Sequence, residues 1–105
     1  MDKNGYLGVI LEAINYYRSK AIGLLGLVNC LMNSTHGLVA TDYVWNCDID
    51  EYITQMEIIY SLVASGDKVK YSMQDVADID SYLIVIEREV RAALEKQDNS
   101  NDVPE

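Results

Sequence analysis

The chain has 105 residues, of which half are apolar, 17 are acidic and 8 are basic, so its formal net charge at pH 7 is −9. This length is typical of one domain with one core. The acidic excess argues against binding of nucleic acid, because phosphate contacts require clustered lysine and arginine. From Asp42 onward, fifteen acidic residues stand against five basic ones. Such a surface attracts a basic partner, although ordinary solubility is the other interpretation.

Cysteine use and hydropathy indicate a compartment. Cys30 and Cys47 have no C-x-x-C spacing and are too few for a disulfide framework, which suits a reducing cytosol. The amino terminus lacks the pattern of a secretory signal. The most apolar window, residues 21–32, spans twelve residues, whereas a membrane span needs about 20. We therefore predict a cytoplasmic protein without a membrane segment.

The first segment, residues 5–33, has the period of a helix. Its apolar residues recur every three or four positions: Ile10, Ile14, Tyr17, Ala21, Leu24, Val28 and Leu31. A second stripe is uniformly small and would let another backbone approach closely: Ser19, Gly23, Gly26 and Cys30. A break near residues 19–23 would divide this segment into two helices.

Residues 34–47 show no clear period, so they are either functional or contain a short helix. Within them, residues 42–45 (Asp-Tyr-Val-Trp) are either a contact loop or an anchor to the bundle. Asp48 begins the next helix, with Glu51 in a capping-box arrangement, and Gly66 ends it. Its core face contains Ile49, Tyr52, Ile53, Met56, Ile59, Tyr60 and Val63.

The last helix begins at a second capping box, formed by Ser72 and Asp75. Its core face follows at spacings of three and four: Val76, Ile79, Leu83, Ile86, Val90 and Leu94. The pattern fades near Gln97. We predict an all-α antiparallel bundle of three long helices, or four if the first is broken, as a single domain over residues 1–96 with a disordered tail at 97–105.

The sequence offers little for catalysis or metal binding. His36 is its one histidine, and no P-loop, G-x-S-x-G, H-E-x-x-H or dinucleotide-binding pattern is present. Asp48 and Asp50 have the spacing that opens an EF-hand loop, but Ile53 stands where glycine is required. We predict a protein that is not an enzyme and that needs no metal or cofactor.

The surface of the last helix is more informative. Asp75, Asp78, Tyr82, Val85 and Glu89 form a contiguous stripe beside its core face. Acidic residues around an aromatic would suit a basic protein partner. A solvated face with Tyr82 against the core edge is the alternative.

The second helix offers a further surface. Ile58 and Leu62 point away from its core face, toward either residues 34–47 or an exposed patch, and Asp50 and Glu57 lie on a third side.

Asp48 to Tyr52 and Asp75 to Glu89 give the chain an acidic, tyrosine-bearing helical surface. In this character the chain resembles the helical immunity proteins of bacterial toxin systems, of the colicin type or of contact-dependent growth inhibition. The resemblance implies a cytoplasmic bacterial inhibitor that binds one cognate toxin, commonly a basic nuclease, and covers its active site or substrate groove.

We accordingly predict an inhibitor that binds a basic protein and is a monomer or a weak dimer. The alternatives are a helical structural or regulatory subunit that dimerises through Ile58, Leu62 or the small stripe, an enzyme that uses His36, and a mimic of DNA charge. The preferred contacts are Asp75, Asp78, Tyr82 and Glu89, followed by Asp48, Asp50 and Glu57.

Overall fold

The protein is a four-helix bundle. The computed structural model describes residues 1–101, with side chains described through residue 96. The helices are α1 (Lys3–Arg18), α2 (Leu24–Val39), α3 (Ile49–Ala64) and α4 (Met73–Asn101). Each packs against the next along the chain, and α4 returns against α1. The predicted all-α bundle is confirmed, in the form in which the first segment is broken.

The break between α1 and α2 has a local cause. The Ser19 hydroxyl donates to the Tyr16 carbonyl at 3.1 Å, and the backbone N–H groups of Ala21 and Ile22 donate to the same carbonyl. Lys20 has a φ of 66°, in the left-handed region that ends a helix. Helix α2 therefore starts afresh after residue 23.

This break corrects two predictions. Ala21, predicted on the core face, is exposed because it lies in the turn. The stripe of small residues is not a close-packed interface, because Ser19 and Gly23 also belong to the turn. A Cβ built on Gly23 would meet open space. A close approach occurs instead at Gly37 in α2, where the side-chain ring of Tyr6 from α1 occupies the space that a Cβ would fill.

Two further boundaries differ from the prediction. Helix α2 continues to Val39, so residues 34–39 are helical and only the rest of the 34–47 segment is irregular. Helix α4 continues to Asn101, beyond the predicted end near Gln97. The rest of the predicted tail, residues 102–105, lies outside the described residues.

The helix ends follow the predicted chemistry with one exception. The Asp75 N–H donates to Ser72 Oγ at 3.0 Å and the Ser72 N–H donates to Asp75 Oδ2 at 2.9 Å, so the reciprocal capping box is confirmed. Gly66 has a φ of 87°, as expected where a helix ends. Asp48 is the N-cap of α3, but within the described residues its side chain makes no capping hydrogen bond, so that capping box is wrong.

One aliphatic core joins the four helices. Its largest fully buried side chains are Leu7, Ile10, Ile14, Leu27, Leu31, Leu38, Met56, Ile79, Leu83 and Ile86. Val76, predicted to join them, is 54% exposed, because α1 ends at Arg18 and does not cover it. Helix α4 packs along α3 on one side of its core face and along α1 on the other. The candidate site lies on the side toward α3.

Candidate functional site

The contact between α3 and α4 is centred on two tyrosines. The rings of Tyr52 and Tyr82 stack with centroids 5.0 Å apart and an interplanar angle of 16°. Both side chains are half-buried and pack against the core. Tyr82 thus lies at the core edge, as the alternative interpretation predicted, with part of its surface accessible.

The residues around this pair follow from helix geometry. Successive residues of a helix are about 100° apart. On α3, the side of Tyr52 that faces away from the core therefore carries the N-cap residue 48 and positions 51, 55, 58 and 62. Positions 78, 81 and 85 of α4 lie on the outer side of Tyr82. We name the surface formed by Asp48, Glu51, Tyr52, Asp78 and Tyr82 the α3–α4 seam.

Three carboxylates of the α3–α4 seam remain available to a partner. Asp48 and Glu51 are exposed, and Asp78 is half-buried. Glu51 accepts a hydrogen bond from Gln55 at 3.0 Å and Asp78 accepts one from Gln74 at 2.7 Å. Within residues 1–96, none of the three carboxylates forms an ion pair. Their charges therefore have no cationic partner among these residues, and helix geometry places them on the outer side of the two rings.

Asp75, at one end of the predicted stripe, serves the fold instead. It is 8% exposed and accepts hydrogen bonds from the Ser72 N–H and from Lys68 Nζ, both at 2.9 Å. The Ser72 backbone bond, followed by Lys68, holds the pKa of the Asp75 carboxyl below its usual value. We therefore remove Asp75 from the predicted contacts, because its charge is already compensated.

Glu89, at the other end of the stripe, anchors the irregular segment that precedes α3. Its Oε2 accepts hydrogen bonds from Tyr43 Oη at 2.8 Å and from the Asn46 N–H at 2.9 Å. Burial, together with a hydrogen bond to Glu89, raises the pKa of the Cys47 thiol to about 12. The same two causes raise the pKa of the Tyr43 hydroxyl. Glu89 is thus occupied within the molecule and is also removed from the predicted contacts.

The aromatic residues of this segment are anchors. The rings of Tyr43 and Trp45 meet edge to face, with centroids 5.1 Å apart and an interplanar angle of 86°, and both pack against the core. Trp45 Nε1 is buried and has no hydrogen-bond partner among the described residues. Only Val44 between them is strongly exposed, at 77%. The interpretation of residues 42–45 as an anchor is confirmed for both rings.

The remaining predicted contacts lie elsewhere on α3. Asp50 and Glu57 are exposed, and Glu57 lines an opening of about 270 Å³ together with α2 residues. They are not continuous with the α3–α4 seam. Ile58 is 47% exposed on the outer face of α3, which agrees with the interpretation of an exposed patch, whereas Leu62 is half-buried.

The described residues also bear on catalysis, metal binding and membrane insertion. His36 is exposed near the end of α2. Among the described side chains, no group of three or more His, Cys, Asp or Glu could hold a metal ion. Over residues 1–101, no helix combines the length and the apolar character that a bilayer span requires.

Two members of the α3–α4 seam are not among the contacts that the sequence predicts. The sequence pattern places Tyr52 on the core face and Glu51 in a helix cap. The signal that could have found them is the position of Tyr52 at the edge of the α3 core face, which is where a neighbouring helix brings a second edge residue.

Comparisons with protein-family models, curated proteins and solved structures found no match to this chain.

Proposed function

We propose that the protein is an acidic inhibitor that binds a basic protein through the α3–α4 seam, as an immunity protein binds a cognate toxin nuclease. The observation that carries the proposal is the stacked pair Tyr52–Tyr82 beside Asp48, Glu51 and Asp78, whose charges have no cationic partner within residues 1–96. An aromatic centre with a charged rim is the usual anatomy of a protein-binding surface.

The stacked tyrosines suit the role of anchors. Each ring is already held by the other and by the core, so little side-chain freedom remains to be lost on binding. A tyrosine also offers an apolar ring and a hydroxyl at the same place, which is why this residue is enriched in interfaces. A partner that covered the pair would gain apolar contact without reorganising α3 or α4.

The carboxylates suit the choice of a basic partner. With a net charge of −9, the chain attracts a cationic protein over distances near the Debye length, about 8–10 Å at moderate salt. Asp48, Glu51 and Asp78 would then stand where the groove of a nuclease holds substrate phosphates. Inhibition would follow from occupation of that groove and would require no catalytic residue in the inhibitor.

An adaptor or subunit that dimerises is the second candidate, and one observation favours it. Ile58 is an aliphatic residue that is 47% exposed on the outer face of α3, and exposed apolar surface is a mark of association. A dimer through Ile58 would lie beside the α3–α4 seam and would hinder a partner there. Sedimentation of wild-type protein and of Ile58→Asp separates the two candidates.

The proposal is tested by affinity capture followed by an activity assay. The immobilised protein is exposed to extract from its source cell, and a retained basic protein is assayed for nuclease activity with and without added inhibitor. The seam variant is Glu51→Lys with Asp78→Lys, and the matched control is Glu12→Lys with Glu95→Lys, two exposed acids outside the seam. We expect the control to inhibit like wild type and the seam variant to lose inhibition. Equal inhibition by both variants would refute the assignment of the site.

A further inference from the structure

A second apolar surface lies at the end of the bundle that carries the α1–α2 and α3–α4 turns. Two adjoining cavities of about 420 and 680 Å³ open there and share Tyr17, Tyr71 and Val76 as lining residues. They form one groove, which we name the turn-end groove. It runs along the flank of α4 that faces α1, so α4 separates it from the α3–α4 seam.

The rim of the turn-end groove is unusually apolar for an exposed surface. Met73 is 91% exposed, Val76 is 54% exposed, and Val69 in the adjacent turn is 98% exposed. Beneath them, burial and the neighbouring Tyr71 and Asp80 raise the pKa of Tyr17. The apolar rim therefore protrudes beside a groove whose floor is partly desolvated. An exposed apolar surface of this kind marks a site of association.

The charge at this end differs from that of the whole chain. Residues 18–23 and 66–76 contain four of the eight basic residues, Arg18, Lys20, Lys68 and Lys70, and the acids Asp67 and Asp75. Arg18 pairs with Glu87 and Lys68 pairs with Asp75, and Asp80 lines the groove. The turn end therefore carries both signs in near balance, although the chain as a whole carries −9.

We propose that the turn-end groove is a weak dimer interface, occupied by the same end of a second copy of this chain. Two copies of so acidic a protein repel each other across most surfaces, and a balanced end is where this repulsion is least. A two-fold contact would place Met73 of each copy in the groove of the other, and Lys20 and Lys70 near Asp67 and Asp80 of the partner copy. Such an interface is self-complementary.

The size of the bundle end sets the strength of this contact. The two shorter dimensions of the molecule are 24 and 23 Å, so an end-to-end contact buries no more than the low end of the ~1,200–2,000 Å² that is typical of stable interfaces. Dissociation constants in the range of about 10 μM to 1 mM are expected for so small a contact. The α3–α4 seam stays accessible in both copies, so the dimer would present two binding surfaces.

Sedimentation equilibrium of the full chain between about 10 μM and 1 mM tests the proposal. We expect wild type to dimerise reversibly and Met73→Asp to weaken dimerisation at least tenfold. The matched control is Val39→Asp, a valine 74% exposed at the end of α2, which should dimerise like wild type. Met73 begins α4, where an acidic residue is favourable, so circular dichroism should show the fold of the variant unchanged.

Salt supplies an independent readout. Added salt should strengthen the dimer, because it screens the repulsion between two chains of net charge −9. A wild-type chain that stays monomeric at the highest concentration would overturn the proposal. So would a dimer that survives Met73→Asp, or one that is lost in Ile58→Asp and retained in Met73→Asp.

Discussion

Removal of the Glu89 carboxylate should detach the segment that precedes α3 and destabilise the whole bundle. Glu89 Oε2 accepts the Tyr43 hydroxyl at 2.8 Å and the Asn46 N–H at 2.9 Å. A hydrogen bond to a charged acceptor contributes about 1.5–3 kcal/mol when its partner would otherwise be left unsatisfied. Glu89 accepts two such bonds, which together would contribute about 3–6 kcal/mol. Because the site is only half-buried, we discount this sum and expect Glu89→Ala to lower the free energy of unfolding by about 2–4 kcal/mol.

Urea unfolding can be followed by two probes in the same samples. Circular dichroism reports the four helices, and the fluorescence of Trp45, the single tryptophan, reports the anchored segment. In Glu89→Ala we expect a lower midpoint by both probes, together with a shift of the native-state fluorescence. Glu89→Gln should lose less, about 1 kcal/mol, because an amide oxygen still accepts hydrogen bonds but carries no charge.

The control for this prediction is Glu95→Ala, an exposed acid on the same helix. It should change the free energy of unfolding by less than about 0.5 kcal/mol. If Glu89→Ala unfolds at the same urea concentration as Glu95→Ala, the carboxylate does not hold the segment. Glu89 would then return to the candidate contacts of the α3–α4 seam.

Three further predictions concern stability and pH. Ile86→Ala should cost about 2–5 kcal/mol in urea unfolding, because Ile86 is fully buried and its loss leaves a cavity. The fold lowers the pKa of Asp75, so the stability that its carboxylate contributes is present above its ordinary pKa and is lost as pH falls. The melting temperature of Asp75→Asn should therefore fall less steeply than that of wild type as pH is lowered. Because folding raises the pKa of the Cys47 thiol from 9.0 to about 12, the unfolded chain loses this proton first, and stability should fall between those two pH values. In Cys47→Ala that alkaline fall should be smaller, and a fall of wild-type size would contradict the assignment.

The regular features of the fold were predictable because they depend on local sequence. The period of α4 placed Ile79, Leu83 and Ile86 in the core, and the Ser72–Asp75 capping box formed as its spacing indicates. The break of the first segment was also predictable as an alternative, because glycine at residue 23 favours the end of a helix over its continuation.

The features that the sequence did not predict depend on how long each helix is and on what covers it. Val76 has the spacing of a core residue, but it is 54% exposed at the end of the bundle where α1 has already ended. Asp75 and Glu89 lie on the stripe that a helical wheel predicts, yet each is turned to a local partner, Lys68 or the segment at residues 43–46. A wheel gives the direction of a side chain and does not show whether a turn folds over it.

The proposed function requires that the α3–α4 seam steers and binds a basic partner. The most direct measurement is the association rate of the captured partner with wild type, with Glu51→Lys plus Asp78→Lys, and with the control Glu12→Lys plus Glu95→Lys, each at low and high salt. We expect the seam variant to associate at least tenfold more slowly than the control at low salt, although both carry the same net charge. This difference should shrink as salt rises. Equal association rates for the two variants at low salt would show that the α3–α4 seam is not the binding surface.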